Sequence, residues 1–318
     1  MKKFFFKVSI FLVICISIII TLNITVPSLS TNEKKTIENL LINKQNIESL
    51  TMGRSHAASL DYRFWDKKGV NLALGGRDLA SIRYQLEFLV PELINLKEVI
   101  IFITYSTFYF DNEALSDGNL NDARKALYYA IPSYKIIDYK DISNFVMGKF
   151  FPFIQEDHGY SLLKRKASSK NLKNIINVWT NWQENYMDSV EILQSAKKQA
   201  SLHSSDRIVS ERYMPNVVEK NKLILIDIVK YLKEKNINCL LVTSPYYHSY
   251  TDEFPKKDIV EMHNIVNQIK NEHKVKYFDF SRDTTFTYNN KYFHNADHLN
   301  DEGKRIFTEK FKAIKNLN

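Results

Sequence analysis

Short apolar runs alternate with amphipathic stretches along most of the chain beyond residue 46. A compact apolar run is typical of a buried strand, whereas apolar positions three and four residues apart are typical of a helix. The runs predict strands over 47–52, 70–74, 99–105, 239–243 and 275–280. The helical spacing predicts helices over 78–89, 224–232 and 259–269, and a last helix from Asp301 with Phe307, Phe311 and Ile314 on its inner face. Because the two kinds of element alternate, we expect a parallel sheet with helices on both faces.

The first predicted strand ends at Gly53, and the chain continues into 57–60. This pattern predicts a strand, a tight turn over 53–55 and then a helix. Between about 106 and 214 the alternation stops, and long helical stretches rich in aromatic residues take its place. Three of these aromatic residues are Trp179, Trp182 and Tyr186. We expect this segment to be a helical insertion that forms a cap or a partner surface, the alternative being outer helices of the core.

The N-terminal segment has the pattern of a targeting sequence. Lys2 and Lys3 precede a run from 4 to 22 that contains one charge, Lys7. A membrane span needs about 20 apolar residues and the core of a signal peptide about 7–15, so the run favours a retained anchor. Small residues at 28–30 also provide a possible cleavage site for a signal segment. Residues 1–30 are therefore predicted to be a membrane anchor or signal, with the lysines cytoplasmic and 31–318 exported.

Composition and charge narrow the class of protein. The chain has 318 residues, 44% of them hydrophobic, and a net charge of +8. Its lysines are scattered and no nucleic-acid motif accompanies them, so we expect attraction to an anionic membrane or cell wall and no nucleic-acid partner. Two cysteines, Cys15 and Cys239, exclude a disulfide framework. The sequence has no metal-binding spacing of Cys and His and no dinucleotide or phosphate-loop motif, so no metal and no cofactor is predicted.

Two residues at opposite ends of the predicted domain carry candidate chemistry. Ser55 stands where the first strand passes into the next element, and His298 stands just before the last helix. Ligands of such folds gather at the carboxyl ends of the strands, where a serine hydroxyl is accessible and a histidine can take its proton. Each residue alone has a simpler interpretation. Ser55 could cap a helix, and His298 could be a capping or core histidine. Together they predict a serine nucleophile and its base.

These residues lie in Gly53-Arg54-Ser55 and Asn295-Ala296-Asp297-His298-Leu299-Asn300. The two motifs resemble the first block, Gly-x-Ser, and the last block, Asp-x-x-His, of the SGNH (GDSL-type) hydrolase superfamily. The chain is most similar to its membrane-anchored branch, related to D-alanyl-lipoteichoic acid transfer proteins and polysaccharide O-acetyltransferases. The resemblance covers about 47–105 and 220–318 and leaves the anchor and the middle segment unaccounted for.

The resemblance implies a flavodoxin-like three-layer α/β sandwich with a parallel sheet of about five strands. It also implies a serine esterase or O-acyltransferase that acts on acetyl or D-alanyl esters of an envelope polysaccharide or teichoic acid. A multi-pass membrane acyltransferase is the implied partner. The competing interpretation is a non-catalytic envelope assembly protein with a degenerate site that docks such an acyltransferase.

The remaining site residues follow from the same resemblance. The oxyanion glycine of the second block corresponds to Gly76, while the asparagine of the third block has no counterpart, and Ser106 stands near its place. The position three before His298 is Asn295, where the superfamily has aspartate. A neutral amide orients an imidazole but does not stabilise its charged form as a carboxylate does. Either Asn295 or the adjacent Asp297 is therefore the third member, unless the site is a Ser-His dyad or is degraded.

Three further polar residues are candidates for contact with substrate. His248 follows a predicted strand and either contacts substrate or is an ordinary loop histidine. Arg54 and His56 stand on either side of Ser55. They bind an anionic or sugar group, or they face solvent.

Overall fold

The computed structural model describes residues 2–25, 32–73, 75–111, 187–210 and 216–317. The chain divides into two compact units, one of 1–38 with 121–174 and one of 39–120 with 175–318. All the candidate site residues belong to the second unit. Most of the predicted insertion, including Trp179, Trp182 and Tyr186, lies outside the described residues.

The first unit contains an N-terminal helix, α1, over Lys2–Thr25. Its segment Lys3–Thr21 has a mean hydropathy of 2.6 and is long and apolar enough to cross a membrane. A signal sequence has the same length and composition, so both predicted roles of this segment stay open. The next helix, α2, covers Asn32–Ile42.

The second unit is built on a parallel sheet, which confirms the predicted α/β class. Its five strands are β1 Ser49–Met52, β2 Gly69–Asn71, β3 Glu98–Phe102, β4 Asn238–Thr243 and β5 Lys276–Asp279. They lie in the order β2-β1-β3-β4-β5, and every neighbouring pair is parallel. This is the flavodoxin-like order, in which the strand sequence reverses beside β1.

Helices and one small hairpin complete the described part of this unit. The helices are α3 Leu79–Leu89, α4 Ser189–His203, α5 Ser205–Ser210, α6 Val217–Glu234, α7 His248–Glu253, α8 Lys256–His273, α9 Thr284–Thr287 and α10 Asp301–Leu317. The hairpin pairs β6 Phe293–Asn295 with β7 His298–Leu299 in antiparallel fashion.

The burial of consecutive strand residues shows why the sequence forms a covered sheet. Val99, Ile100 and Ile101 of β3 are all 0% exposed. Successive side chains of a strand point to opposite faces, so both faces of β3 are covered. The apolar stripe of α10 contributes to this core through the fully buried Phe307 and Phe311, whereas Ile314 is only half-buried.

The element that follows Gly53 differs from the prediction. It is a single 3-10 helix over Ser55–Ser59, not an α-helix. Asn71, at the end of β2, explains the difference, because its side-chain amide donates to the carbonyl oxygens of Ala57 and Leu60, at 2.7 Å each. The carbonyl of Ala57 also accepts from the backbone N–H of Leu60 at 3.2 Å, and the bonds from the Asn71 side chain end the helix at this point.

Four strands, β1, β2, β3 and β5, are shorter than predicted, and the ends of β2 and β3 differ most. β2 ends at Asn71, whose Oδ1 accepts from the backbone N–H of Ala73 at 2.8 Å, and β3 ends at Phe102. After β3 the backbone N–H of Thr104 donates to the hydroxyl of Thr107 at 2.7 Å. Polar side chains thus take over the backbone hydrogen bonds at both strand ends and turn the chain.

Candidate active site

The position of Ser55 depends on the glycine two residues before it. Gly53 follows β1 and has φ of +151°, a conformation that favours glycine. A Cβ atom at Gly53 would lie 2.9 Å from Cβ of Ala57 and 2.9 Å from Cβ of Phe102. The chain therefore turns tightly against β3 at this point, and Ser55 opens the 3-10 helix at the carboxyl end of the sheet.

The position of His298 depends on the β6–β7 hairpin, which the sequence did not predict. Asn295 pairs with His298 across the hairpin, and Ala296 and Asp297 form its turn. The backbone N–H of Asp297 donates to Oδ1 of Asn295 at 3.2 Å, a side-chain bond typical of an Asx turn. The carbonyl of Ala296 accepts from the backbone N–H of Tyr247 at 3.0 Å, which ties the turn to the segment after β4.

The fold brings the two predicted catalytic residues together. Nε2 of His298 lies 2.7 Å from Oγ of Ser55. On the other side of the ring, Nδ1 lies 3.0 Å from Oδ1 of Asp297 and 3.0 Å from Oδ1 of Asn295. Two acceptors at Nδ1 place the proton there, and Nε2 is left to accept from the serine hydroxyl. Both candidates for the third member thus contact the histidine.

The carboxylate of Asp297 is completely buried, at 0% exposure. Burial by itself would raise its pKa, but the neighbouring His298 and a hydrogen bond from His56 hold the pKa well below that of an ordinary carboxyl. Its second oxygen, Oδ2, lies 3.0 Å from Nε2 of His56 and 3.4 Å from Nδ1 of His203. Three imidazole rings therefore surround one ionised carboxylate.

The two additional histidines are neutral at physiological pH. Burial, followed by the proximity of His298, lowers the pKa of His56 to about 4. Burial also lowers the pKa of His203 to about 3, against the opposing effect of Asp297. The ring of His56 stacks on that of His298, with centroids 4.4 Å apart and planes 21° apart.

Arg54 is partly buried against the segment that follows β3. Its Nη1 donates to Oγ of Ser106 at 2.7 Å, and its guanidinium lies 4.2 Å from the centre of the Phe110 ring. No carboxylate in the described part of the chain forms an ion pair with it. Burial lowers the pKa of Arg54, and the fields of Tyr250, Tyr246 and Asp297 oppose that effect.

The other predicted binding residues have different surroundings. Gly76 is exposed, with φ of +73° and open space where a Cβ would stand. His248 opens α7, where its Nδ1 lies 3.3 Å from Asp252 and its ring stacks on Tyr288. Neither Asp252 nor Tyr288 is a candidate site residue, so these contacts do not connect His248 with Ser55.

One group of side chains has the composition of a metal site. Donor atoms of His56, Asp297 and His298 all lie within 4.8 Å of one another. However, the two nitrogen–oxygen separations of 3.0 Å are those of hydrogen bonds, and each nitrogen faces a carboxylate oxygen that accepts its proton. Two hydrogen bonds therefore explain why these donor atoms lie close together, and the group forms a hydrogen-bonded network.

Sequence reasoning missed His203 and the contact between His56 and Asp297. His203 ends α4, within the segment predicted to be an insertion, and no motif around it marks a site residue. His56 was noted only because it follows Ser55. No spacing rule connects either residue with Asp297, since the contacts arise from packing.

Comparisons with known proteins give little beyond the general architecture. No protein-family model matches the sequence, and no curated protein matches it either. Similar solved structures include an acetyl xylan esterase, which is 13% identical in sequence and has a TM-score of 0.41. The match covers 84% of this chain and 99% of the esterase chain. A proposed acylhydrolase from Bacteroides fragilis has 9% identity, 89% and 95% coverage and a TM-score of 0.41.

The lipase/acylhydrolase from Enterococcus faecalis has 12% identity, 84% and 97% coverage and a TM-score of 0.37. Similarity at this level carries no argument about activity. The fold assignment rests on the order and direction of the five strands.

Proposed function

We propose that the protein is a membrane-anchored serine esterase or O-acyltransferase that acts on acyl esters of a cell-envelope polymer. One observation carries the proposal, the 2.7 Å hydrogen bond between Oγ of Ser55 and Nε2 of His298, with Asp297 behind the ring. A hydroxyl, an imidazole and a buried carboxylate in this order are the parts needed for acyl transfer through a serine ester.

The proposed reaction has two halves. In the first, Oγ of Ser55 attacks the acyl carbonyl while its proton passes to Nε2 of His298. His298 then gives that proton to the leaving alcohol oxygen as the ester bond breaks, and an acyl-serine remains. In the second half, water or a sugar hydroxyl attacks the acyl carbonyl and gives its proton to His298. The bond between the acyl group and Oγ of Ser55 then breaks, and His298 returns the proton to Oγ. Asp297 stabilises the imidazolium in both halves, and Asn295 helps to hold the ring.

Donors to the oxyanion complete the proposal. Backbone amides at Ser55 and Gly76 are proposed to bind it, as in the superfamily that the chain resembles. Ser106 stands near the place of the missing asparagine, and its hydroxyl already accepts a hydrogen bond from Arg54. Because that bond uses a lone pair of the oxygen, the hydroxyl hydrogen stays available as a donor, and Thr104 is one alternative partner at 3.2 Å.

The environment of Arg54 supports an anionic substrate. A charge that is shielded from water without an ion pair is costly, and a bound anion offsets that cost. Arg54 precedes the proposed nucleophile directly, and among the described residues Ser106 is the acceptor of a hydrogen bond from its guanidinium. A phosphate or carboxylate close to the ester would fit this position, as found in teichoic acids and in acidic polysaccharides.

The proposed location follows from the N-terminal helix and the resemblance. Helix α1 is apolar enough to span a membrane and begins with Lys2 and Lys3, which favour the cytoplasmic side. The domain would then lie outside the cytoplasmic membrane, beside the envelope polymer. A multi-pass membrane acyltransferase that delivers the acyl group across the bilayer is the proposed partner, on the resemblance alone.

Labelling with a fluorophosphonate probe tests the proposal. We expect the full-length protein to be labelled and to hydrolyse p-nitrophenyl acetate, and Ser55→Ala to lose both properties. Ser59→Ala, in the same 3-10 helix, is the matched control and should keep both. A folded protein that neither labels nor turns over would contradict catalysis and favour the non-catalytic assembly role.

A further inference from the structure

The carboxylate of Asp297 receives more hydrogen bonds than orientation of one histidine requires. Oδ1 accepts from Nδ1 of His298. Oδ2 lies 3.0 Å from Nε2 of His56 and 3.4 Å from Nδ1 of His203. Both additional rings are largely shielded from water, with 2% and 18% of their side chains exposed. Neither ring touches the serine hydroxyl, so neither has a place in the proposed proton transfer.

The protonation state makes the ring of His56 a donor. A neutral imidazole carries a single N–H, and a carboxylate oxygen accepts only from that nitrogen. For His56 the proton is thus on Nε2, which leaves Nδ1 bare. Nδ1 of His56 is buried and has no hydrogen-bond partner among the described residues, which agrees with this tautomer. Nδ1 of His203 lies beside the same carboxylate oxygen at 3.4 Å, and its hydrogen bond is with the hydroxyl of Tyr250 at 3.2 Å.

We propose that His56 and His203 are positioning residues that hold Asp297 in place behind His298. His56 donates to Oδ2 and the ring of His203 lies 3.4 Å from the same oxygen, so both limit rotation of the carboxylate and keep Oδ1 directed at the catalytic ring. The stacked ring of His56 also limits tilting of the His298 ring. This inference rests on the proposed function, because it concerns the geometry of the same site.

Helix α4 lies outside the segments that resemble the hydrolase superfamily, and the proposal gives it a role. His203 ends α4, which begins at Ser189 and precedes the resumed alternation of strands and helices. Oγ of Ser195, in the same helix, lies 3.4 Å from the backbone N–H of Ala296 in the hairpin turn. Helix α4 therefore supports both the turn that carries Asp297 and the carboxylate itself, and it is part of the active site.

Paired substitutions in the full-length protein test the proposal. His56→Leu removes the donor to Oδ2 and His203→Leu removes the ring beside that oxygen, whereas His56→Gln and His203→Asn keep an amide group near Nε2 and Nδ1, respectively. We expect each Leu variant to lower kcat for p-nitrophenyl acetate about tenfold or more with little change in KM, because loss of an orienting partner typically costs about 10- to 100-fold. The amide variants should recover most of that loss.

The pH profile separates positioning from a merely structural role. A carboxylate with one donor fewer holds the protonated His298 ring more tightly, so the acid limb of kcat/KM should move to higher pH in His56→Leu. The other groups that face His56 are Arg54, His203, Tyr246, Asp297 and His298, all of which remain in that variant. His273→Leu, in the last turn of α8, is the matched control and should match the wild type.

Two results would overturn the proposal while the wild type labels at Ser55 and turns over. One is a His56→Leu variant with unchanged kcat and an unchanged pH profile. The other is equal impairment of His56→Leu and His56→Gln with an unmoved acid limb, which would show a structural role. A wild type that neither labels nor turns over would overturn the proposed function and this inference together.

Discussion

Asp297 and His298 are neighbours in the chain, and their side chains are hydrogen bonded to each other, with 3.0 Å between Oδ1 and Nδ1. Successive residues of a regular strand point to opposite faces and cannot form such a bond. Here Asp297 belongs to the turn of the hairpin and His298 begins β7, where the ladder is irregular. The turn thus supplies a carboxylate at a position that differs from the Asp-x-x-His spacing.

The first prediction distinguishes the two residues that share Nδ1 of His298. Asp297→Asn should lower kcat about 10³-fold or more, because a neutral amide does not stabilise the imidazolium. Asn295→Ala should cost far less, since the carboxylate remains in place. Steady-state kinetics with p-nitrophenyl acetate measure both, and a larger loss in Asn295→Ala would refute the assignment of Asp297.

The second prediction concerns charge in the substrate. Arg54→Gln should lower kcat/KM for an ester with a nearby phosphate or carboxylate by about tenfold or more, since a hydrogen bond to a charged group contributes about 1.5–3 kcal/mol. The matching neutral ester should be affected much less. Arg83→Gln, on the exposed side of α3, serves as control. Equal losses for both esters would instead indicate that Arg54 binds the oxyanion.

The third prediction links the buried histidines to stability. The pKa of His56 is about 4 in the folded protein against 6.5 for a free histidine, so the unfolded chain binds more protons between these values. Stability should therefore fall as the pH drops from about 7 to 5, by about 2 kcal/mol from His56. Urea unfolding at both pH values should show a smaller fall in His56→Gln. An identical fall in the variant would contradict a neutral, buried His56.

The fourth prediction concerns metal ions. Because hydrogen bonds account for the contacts among His56, Asp297 and His298, dialysis against a chelator should leave esterase activity unchanged. Activity before and after dialysis is the measurement, with metal content determined in parallel. A loss that added Zn²⁺ restores would identify this group as a metal site.

The fifth prediction concerns the turn before Ser55. Gly53→Ala should destabilise the protein by about 2 kcal/mol or more, because alanine is strained at φ of +151° and its Cβ would meet Ala57 and Phe102. Activity should fall as well, since relief of the clash moves Ser55 away from His298. Thermal unfolding and kcat test this, and a variant with wild-type values would contradict the required turn.

The sequence alone was sufficient to predict the sheet and the meeting of Ser55 with His298. Strands buried on both faces must be apolar throughout, so β3 and β4 appear as continuous apolar runs. Parallel strands end at one edge, so a serine after β1 lies at the edge where ligands of this fold gather. Strand ends and the short helix after Gly53 were less predictable, because side chains such as Asn71 decide where backbone hydrogen bonds go.

The amino-acid pattern thus determined the α/β class, the apolar N-terminal helix and the serine–histidine pair, since these depend on periodicity and on the common direction of parallel strands. Only the tertiary structure decided that Asp297 lies behind His298 and that His56 and His203 surround its carboxylate. Those contacts join a tight turn, a hairpin and the end of a helix. Their geometry comes from packing between elements, which no local pattern of residues records.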